Sequence, residues 1–225
     1  MGNSNLQYYY GWRRNRNQLP ADYRRVLCLT SKVGAGIWIY PTIDWSKTVV
    51  VRVKASMPAS GTRKCMMGNY NYSDSGEVFM LEITDADKWR IYHASSSDVA
   101  VDYPLSANTP YVFESVFTPN TGSVNRIYAE NGTLLNETSG FAMTGTTTTL
   151  ILFRDGRTNR FQPLSLYHVE IIQDHIKLFD MVPAVRNSDS KPGMWDLCGN
   201  LHYGTNTPFH VKGSVGNEFA WEEIQ

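Results

Sequence analysis

After the first 25 residues, short apolar runs alternate with clusters of Gly, Asn, Ser, Thr and Pro. The runs recur about every 8 to 12 residues, a spacing that is typical of β-sandwiches and barrels. In the clearest run, KTVVVRVKAS, Val49, Val51 and Val53 share one face of a strand, whereas Arg52 and Lys54 share the other. Helical periodicity is almost absent from the sequence. The pattern therefore predicts an all-β, antiparallel fold.

The same alternation, with β-branched and aromatic residues, occurs in GEVFMLEIT, KWRIYHA, PYVFESVFT, SVNRIYAE, TTLILFRD and LSLYHVEII. Asn131-Gly132 and Asp155-Gly156 lie between such runs and favour tight turns, because Asn, Asp and Gly tolerate positive φ. The segment LYHVEIIQDHIKLFDMVPAVR predicts a hairpin that folds at residues 173–175. Its second strand is expected to end at Pro183, since proline has no N–H group for the ladder.

Length, charge balance and cysteine spacing limit which kinds of fold, binding partner and metal site are compatible with this chain. The chain has 225 residues, of which 42% are hydrophobic and 19% charged, enough to bury one good core. Basic and acidic residues number 21 each, so no overall field attracts nucleic acid or an anionic membrane. Cys28, Cys65 and Cys198 lack the spacing of a zinc site or of a disulfide framework. We therefore expect buried thiols, no metal and no cofactor.

The first residues, MGNSNLQYYYGWRRNRN, contain no apolar run fit for a signal peptide, and no later segment approaches the ~20 apolar residues of a membrane span. We predict an extended N-terminal arm over residues 1–18 and one domain over residues 19–225. The arm is rich in aromatic residues and arginines, which are enriched at interface hot spots. Its predicted docking residues are Tyr8, Tyr9, Tyr10, Trp12, Arg13, Arg14 and Arg16.

Two segments carry a family resemblance. The stretch LFDMVPAVRNSDSKPGMWDL, followed by GNLHYGTNT, resembles the closing segment of concanavalin A-like (laminin-G-like) jelly-roll domains. The stretch LPADYRRVLCLTSKVGAGIWIYPTI is similar to the opening of such domains, which are common in phage virion and bacterial surface proteins. The resemblance implies an antiparallel jelly-roll sandwich. In it, Arg186 and Asp196 would fix the closing loop, by a charge-assisted hydrogen bond or through backbone amides, and Trp195 would cover the core edge.

This superfamily includes glycoside hydrolases, whose catalytic groups are carboxylates. A retaining mechanism needs two of them roughly 5 to 5.5 Å apart. The best candidates are Glu82, Asp85 and Asp87. Unless a bulge intervenes, parity puts Glu82 on the opposite strand face from the other two, so the segment favours a solvated strand end and turn over a catalytic pair. The histidines are scattered, and no phosphate loop or nucleophile motif occurs. We therefore expect no enzymatic activity, and a glycosidase is the least favoured function.

Glycan binding has candidate residues in two polar segments. Sugar sites combine an aromatic face with a few polar groups. The segment GNYNYSDSGE supplies Tyr70, Tyr72 and Asp74, and the segment FRDGRTNRF supplies Arg154, Asp155 and Arg157. Ordinary polar surface turns explain both segments as well.

Two classes of function remain open. The first is a phage virion structural or decoration protein, of capsid, tail or tail fibre, in which the arm docks onto other virion proteins and the jelly roll adheres to host-surface glycans. The second is a lectin-like carbohydrate-binding module of a bacterial surface protein. For the first we expect synthesis in the host cytoplasm, localisation in the virion and a homo-oligomeric or multicopy assembly.

Overall fold

The computed structural model describes residues 19–33, 35–69, 79–93, 99–147, 150–153, 162–199, 201–204 and 219–224. In these ranges the chain forms strands and no helix, so the predicted all-β class is confirmed. The predicted arm, residues 1–18, lies outside them. The strands are β1 (Tyr23–Arg25), β2 (Cys28–Ser31), β3 (Ile37–Ile39), β4 (Ile43–Asp44), β5 (Val49–Ser56), β6 (Lys64–Gly68), β7 (Phe79–Ile83), β8 (Trp89–His93), β9 (Val99–Val101), β10 (Tyr111–Thr118), β11 (Gly122–Ala129), β12 (Leu134–Gly140), β13 (Thr146–Thr147), β14 (Leu150–Leu152), β15 (Ser165–Gln173), β16 (Ile176–Arg186), β17 (Lys191–Asp196), β18 (Leu201–Gly204) and β19 (Phe219–Glu222).

In the described ranges, two antiparallel sheets pack as a sandwich, and β4 pairs with β13 in a separate two-stranded sheet. Within the described ranges, the larger sheet has eleven strands, ordered β12-β11-β10-β5-β15-β16-β17-β18, with β1 added to β16, β2 to β15 and β19 to β2. The smaller sheet of this part of the chain has six strands, ordered β3-β14-β6-β7-β8-β9. Strand β9 packs beside β12, and β18 beside β3. Edge strands of the two sheets therefore meet on both sides of the sandwich.

The core fills the space between the sheets, as the alternation in β5 predicted. Val49, Val51 and Val53 are fully buried against the smaller sheet. Trp45 lies among them, with its ring centroid 5.7 Å from that of Phe79 and its indole Nε1 donating to Thr147 Oγ1 at 2.7 Å. The other face of β5, which carries Arg52 and Lys54, points away from this core. The predicted orientation of β5 is confirmed.

The hairpin of β15 and β16 turns at Asp174 and His175, as predicted. Both residues have positive φ, 45° and 68°, the conformation that two-residue hairpins require. The predicted end of the second strand at Pro183 is wrong, because β16 continues to Arg186. Pro183 lies where the neighbour of β16 changes from β15 to β1. Its carbonyl accepts from Val26 N at 3.1 Å on that side. The side of Pro183 on which another residue would carry its N–H group also faces this junction, so the proline removes no hydrogen bond from the ladder.

The predicted Asn131-Gly132 turn is also confirmed. It joins β11 to β12, Gly132 has φ of 87°, and Gly132 N donates to Ala129 O at 2.9 Å. The Asp155-Gly156 turn lies outside the described residues. Cys28 and Cys65 are buried and Cys198 is half-buried, all three as thiols and not as disulfides. In the part of the chain described, no helix has the length and apolarity to cross a bilayer.

Candidate functional site

A line of charged side chains crosses the outer face of the larger sheet, the face turned away from the core. Successive members lie directly opposite one another in the strand ladders, so their side chains share one face. We call this line the charged row. From β12 to β16, its members are Glu137, Arg126, Glu114, Arg52, Glu170 and Asp180.

Ion pairs join neighbouring members of the charged row. Glu114 Oε2 accepts from Arg52 Nε at 2.6 Å, and Glu114 Oε1 accepts from Arg126 Nη1 at 3.1 Å. On its other side, Arg52 donates through Nη1 to Glu170 Oε2 at 2.9 Å. Arg126 Nε donates to Glu137 Oε2 at 2.5 Å. Each guanidinium is therefore fixed by two carboxylates of adjacent strands, which removes much of its rotamer freedom.

Lys177 and His168 complete the β16 end of the row. Lys177 Nζ contacts Glu170 Oε1 at 2.5 Å and Asp180 Oδ2 at 2.8 Å, and His168 Nε2 lies 2.7 Å from Asp180 Oδ1. Burial opposes ionisation of Asp180, but the bonds from His168 and Lys177 outweigh it and lower the pKa of Asp180 to about 2. The same two carboxylates raise the pKa of Lys177 against its own burial.

Glu114 is held ionised for a similar reason. Burial favours its neutral form, but hydrogen bonds from Arg52 and Arg126 outweigh burial and lower the pKa of Glu114. Tyr128 also donates its hydroxyl to Glu114 Oε1 at 3.2 Å. A glycosidase acid must carry a proton before it protonates the leaving group, so its pKa is raised. The pKa values of Glu114 and Asp180 move in the opposite direction.

A β-bulge brings two more side chains to this face. The pairing of β5 with β15 shifts register between Leu166 and His168, which leaves Tyr167 as the extra residue. Leu166 and Val169 remain fully buried in the core, so Tyr167 and His168 both lie on the outer side. Tyr167 OH is 3.1 Å from Ser56 Oγ. The bulge therefore adds an aromatic ring beside the charged row.

The glycan-binding candidates from the sequence, Tyr70, Tyr72, Asp74, Arg154, Asp155 and Arg157, lie outside the described residues. Their flanking residues show where the two segments attach. Asn69 N donates to Phe79 O at 2.9 Å at one end of β6. Phe153 N donates to Met66 O and Gln162 N to Arg63 O, at 2.9 and 3.0 Å, towards the other end. The described residues that flank the two segments therefore lie towards opposite ends of β6.

The predicted docking residues, Tyr8, Tyr9, Tyr10, Trp12, Arg13, Arg14 and Arg16, also lie outside the described ranges. Leu19, the first described residue, packs against a small apolar cluster on the outer face of the larger sheet. This cluster contains Val182, Ala184, Trp195 and Leu197, with Tyr23 and Leu19 over it. Leu19 therefore lies on the same face of the larger sheet as the charged row.

Arg186 and Asp196 act at opposite ends of the β16–β17 hairpin. Arg186 is opposite Lys191 in the ladder, whereas Asp196 is opposite Met181, five positions along β16. Arg186 Nε donates to Asp189 Oδ1 at 2.9 Å inside the loop, and this pairing raises the pKa of Arg186. A direct Arg186–Asp196 bond, one of the two options considered from the sequence, does not fit this ladder.

Asp196 is bound by backbone amides. Its carboxylate accepts from the N–H groups of Asp180, Cys198 and Gly199 at 3.0, 3.1 and 2.9 Å. Burial still raises the pKa of Asp196 above its usual value, against these three bonds. Trp195 is 5% exposed and packs on Tyr23, with ring centroids 4.7 Å apart. Its ring lies in the small outer cluster and not at the edge of the main core.

The expectation of a solvated acidic turn after β7 is wrong for Glu82. Its side chain is fully buried on the smaller sheet, where Arg63 Nη2 donates to Glu82 Oε1 at 2.8 Å and Arg90 also contacts the carboxylate. Asp85 is exposed, and Asp87 accepts from Gly61 N at 2.9 Å. Among the described residues, no group of His, Cys, Asp and Glu side chains is arranged to hold a metal ion.

Sequence reasoning missed the charged row. One signal was present: a charged residue occupies the middle outward position in each of VVVRVKAS, YVFESVFT and GSVNRIYA. Each charge alone is typical of a solvated strand face. Their alignment depends on which strands are neighbours, and Arg52 is 62 residues from Glu114 and 118 from Glu170 in the chain.

No protein-family model matches the sequence, and no curated protein matches it. Among solved structures, a protein from Bacteroides ovatus provisionally named as carbohydrate-binding is similar, with a TM-score of 0.55 and 14% identity, over 89% of this chain and 61% of that one. The chain thus spans less than two thirds of that protein's length. Domains LG4-5 of the mouse laminin alpha1 chain follow, with a TM-score of 0.48 and 10% identity, over 72% of this chain and 45% of that one.

A tailspike protein from a bacteriophage of Escherichia coli is similar with a TM-score of 0.45 and 14% identity, over 61% of this chain and 21% of that one. At such identities, the Bacteroides ovatus likeness shows the fold alone. That fold is the jelly-roll-like sandwich predicted from the sequence.

Proposed function

We propose that this chain is a carbohydrate-binding jelly-roll module whose ligand lies on the charged row beside Tyr128 and Tyr167. The observation that carries the proposal is an outer sheet face with fixed donors and acceptors next to aromatic rings. Sugar hydroxyls both donate and accept hydrogen bonds, and in the charged row Arg52 supplies donors while the more exposed carboxylate of Glu137 supplies an acceptor. The Bacteroides ovatus protein of the same fold is named for carbohydrate binding, which supports this choice.

Preorganisation favours binding on this face. Arg52 and Arg126 are each held by two carboxylates, so little further side-chain entropy is lost when a ligand binds. The rings of Tyr128 and Tyr167 are held by their hydroxyl contacts to Glu114 and Ser56. A rigid aromatic face with a few convergent polar groups is the usual composition of a small-molecule site.

We propose binding without catalysis at this site. Glycoside hydrolysis needs one carboxylic acid that is protonated near neutral pH beside one that is ionised. The lowered pKa values of Glu114 and Asp180 leave both groups ionised there, which supports a binding role. Incubation of the protein with each bound oligosaccharide, followed by chromatography, should return the saccharide intact.

Binding is tested by a glycan array with the full-length chain, followed by titration calorimetry of the best ligand. Tyr167→Ala should weaken binding about tenfold or more, which corresponds to about 1.4 kcal/mol. Tyr40→Ala is the matched control, because Tyr40 is exposed and follows β3 on the smaller sheet. Loss of the same size in both variants, or an array without any bound glycan, would reject the site.

The proposal extends to a larger assembly. We propose that the chain is a virion component, in capsid, tail or tail fibre, and that residues 1–18 dock it onto other virion proteins in several copies. The aromatic and arginine content of that segment and the attachment of Leu19 beside the Trp195 cluster support this role. Deletion of residues 1–18 should abolish incorporation into particles and leave glycan binding unchanged. Unchanged incorporation would remove the docking role.

A further inference from the structure

In the part of the charged row between β10 and β16, the cations are more exposed than the carboxylates that they join, whereas at the β12 end Glu137 is more exposed than Arg126. The side chain of Arg52 is 42% exposed, whereas those of Glu114 and Glu170, which it joins, are 8% and 11% exposed. Lys177 and His168 are likewise more exposed than Asp180, which they share. Between β10 and β16, the cations therefore lie towards solvent and the carboxylates lie beneath them. A ligand on this part of the row first meets cationic groups.

The cations also have a regular spacing. Arg126 lies on β11, Arg52 on β5 and Lys177 on β16, and one strand separates each from the next in the sheet order. Lys177 is opposite Ile172 in the ladder, and its side chain reaches the charged row at Glu170 and Asp180. Adjacent strands are about 4.8 Å apart, so alternate strands are about 9.6 Å apart. Three cations at this interval match a chain with anionic groups at several points along its length. Such a chain would run across the strands.

Donor groups remain for such a ligand. A guanidinium has five N–H groups, and the hydrogen bonds described for Arg52 use Nε and Nη1. An ammonium has three donors, and Glu170 and Asp180 occupy two positions around Lys177. Arginine is well suited to carboxylate and sulfate groups, because its planar fork can donate two parallel hydrogen bonds.

An aliphatic stripe borders the charged row along one side. Val124, Val116, Val50 and Ile172 are opposite one another in the ladders and are half-buried on the outer face. Apolar side chains of this kind pack well against the C–H faces of pyranose rings. They would contribute little to binding a polyanion that has no such apolar faces. The juxtaposition of a cationic line and an aliphatic stripe therefore indicates an anionic saccharide.

We propose that the ligand of this face is an acidic polysaccharide chain, bearing carboxylate or sulfate groups, that crosses β11, β5 and β16. The inference depends on the glycan-binding function proposed above and names its substrate class. Arg126, Arg52 and Lys177 contact successive acidic groups, while the aliphatic stripe packs against the sugar rings. The buried carboxylates keep the cations in place and neutralise their long-range field.

This neutralisation has a measurable consequence. The row with Lys177 carries carboxylates of Glu137, Glu114, Glu170 and Asp180 against the charges of Arg126, Arg52 and Lys177. The face therefore has no net positive charge, although the outermost groups of the part between β10 and β16 are cationic. Binding of an acidic glycan should depend weakly on salt, unlike the steep dependence of proteins that bind nucleic acid by counterion release. Duplex DNA should not bind.

The test uses oligosaccharides of equal length that are neutral, uronate-containing or sulfated, each titrated into the full-length protein by calorimetry. We expect the acidic oligosaccharides to bind at least tenfold more tightly than the neutral ones, and affinity to rise with length until three acidic groups are present. Equal affinity for neutral and acidic oligosaccharides would overturn the inference and leave the proposed function intact. Failure of every saccharide to bind would overturn the proposed function itself.

Charge-balanced variants identify the residues. Arg52→Gln combined with Glu170→Gln, and separately Arg126→Gln combined with Glu137→Gln, each remove one pair without leaving a single buried charge. We expect either double variant to lose most of the preference for acidic over neutral ligands, measured as the ratio of the two affinities. Arg24→Gln, on β1 and paired with Glu223, is the control and should keep the preference. A preference that persists in both double variants, or tight binding of duplex DNA, would overturn the inference.

Discussion

The outer face of the larger sheet has two regions that differ in their outward side chains: in one they are apolar and covered by other residues, and in the other they are charged and paired with one another. On β16 and β17, the outward residues Val182, Ala184 and Trp195 are apolar, and Leu19 and Tyr23 cover them. On β10, β5 and β15, the outward residues Glu114, Arg52 and Glu170 are charged and pair among themselves. Both regions belong to one sheet, and both alternate inward and outward residues with period two.

The difference shows what determines where a sheet face stays accessible. The free energy of the folded protein falls when another segment removes apolar outward side chains from water, so the chain folds back over β16 and β17. Charged side chains would lose hydration under such a cover, and the charged groups of the row already form ion pairs with one another. The chain therefore covers the first region and leaves the second to solvent. An accessible face with fixed polar groups is the part of this fold suited to a ligand.

We expect the largest loss of stability when the indole ring of Trp195 is removed from the centre of the covered region. Trp195→Ala should lower the free energy of unfolding by about 3 to 5 kcal/mol, because the cavity left by the ring lies beneath Tyr23. Urea unfolding monitored by circular dichroism measures the change. Ile176→Ala, at an exposed position on β16, is the control and should change stability by less than about 0.5 kcal/mol. A loss below ~1 kcal/mol for Trp195→Ala would mean that this region is open.

Removal of the central cation should disturb the accessible region to a smaller extent. Arg52→Ala leaves Glu114 and Glu170 without the guanidinium between them, and we expect a loss of about 2 to 3 kcal/mol. The figure is below that for a fully buried pair because Arg52 itself is partly exposed. Arg24→Ala, which breaks an exposed pair with Glu223, should cost no more than ~1 kcal/mol. Equal losses in the two variants would contradict the coupling of the row.

Acid should weaken the accessible region in a defined pH window. The pKa of Asp180 is about 2 in the folded protein, below its usual value of 3.8. The folded state therefore binds this proton more weakly than the unfolded state, so Asp180 stabilises the protein by about 2 kcal/mol above about pH 4. This contribution is lost as the pH falls from about 4 to about 2. Stability measured by urea unfolding should fall less steeply over that window in Asp180→Asn than in the wild type.

If Asp180→Asn and the wild type lost stability with the same slope, the pairing of Asp180 with His168 and Lys177 would not affect folding.

The smallest expected effect concerns a single hydroxyl at the edge of the charged row. Tyr128→Phe removes the donor to Glu114 Oε1 and should cost about 1 kcal/mol, a usual value for one hydrogen bond. In Glu114→Gln the same substitution should cost less, since the acceptor no longer carries charge. A double-mutant cycle from urea unfolding gives the coupling energy. A coupling energy of zero would separate Tyr128 from the row.

Local patterns predicted most of the strands and several turns. The alternation in Val49–Ser56 gave the correct inward face, and the turn at Asp174 and His175 followed from polar residues between two apolar runs. The end of the strand at Pro183 was predicted wrongly, because the tolerance for a proline depends on which strand lies beside it. The bulge at Tyr167 was not predicted, since it appears only when β15 pairs with β5.

The sequence by itself determined that this chain is an antiparallel β-sandwich and which side of each regular strand faces the core. Both properties follow from the period-two alternation of apolar residues, which is a local feature of the chain. The tertiary structure alone decided that β5 lies between β10 and β15, and therefore that Arg52 meets Glu114 and Glu170. Those neighbours are chosen by packing of the whole core over long sequence separations, so no local pattern contains the charged row.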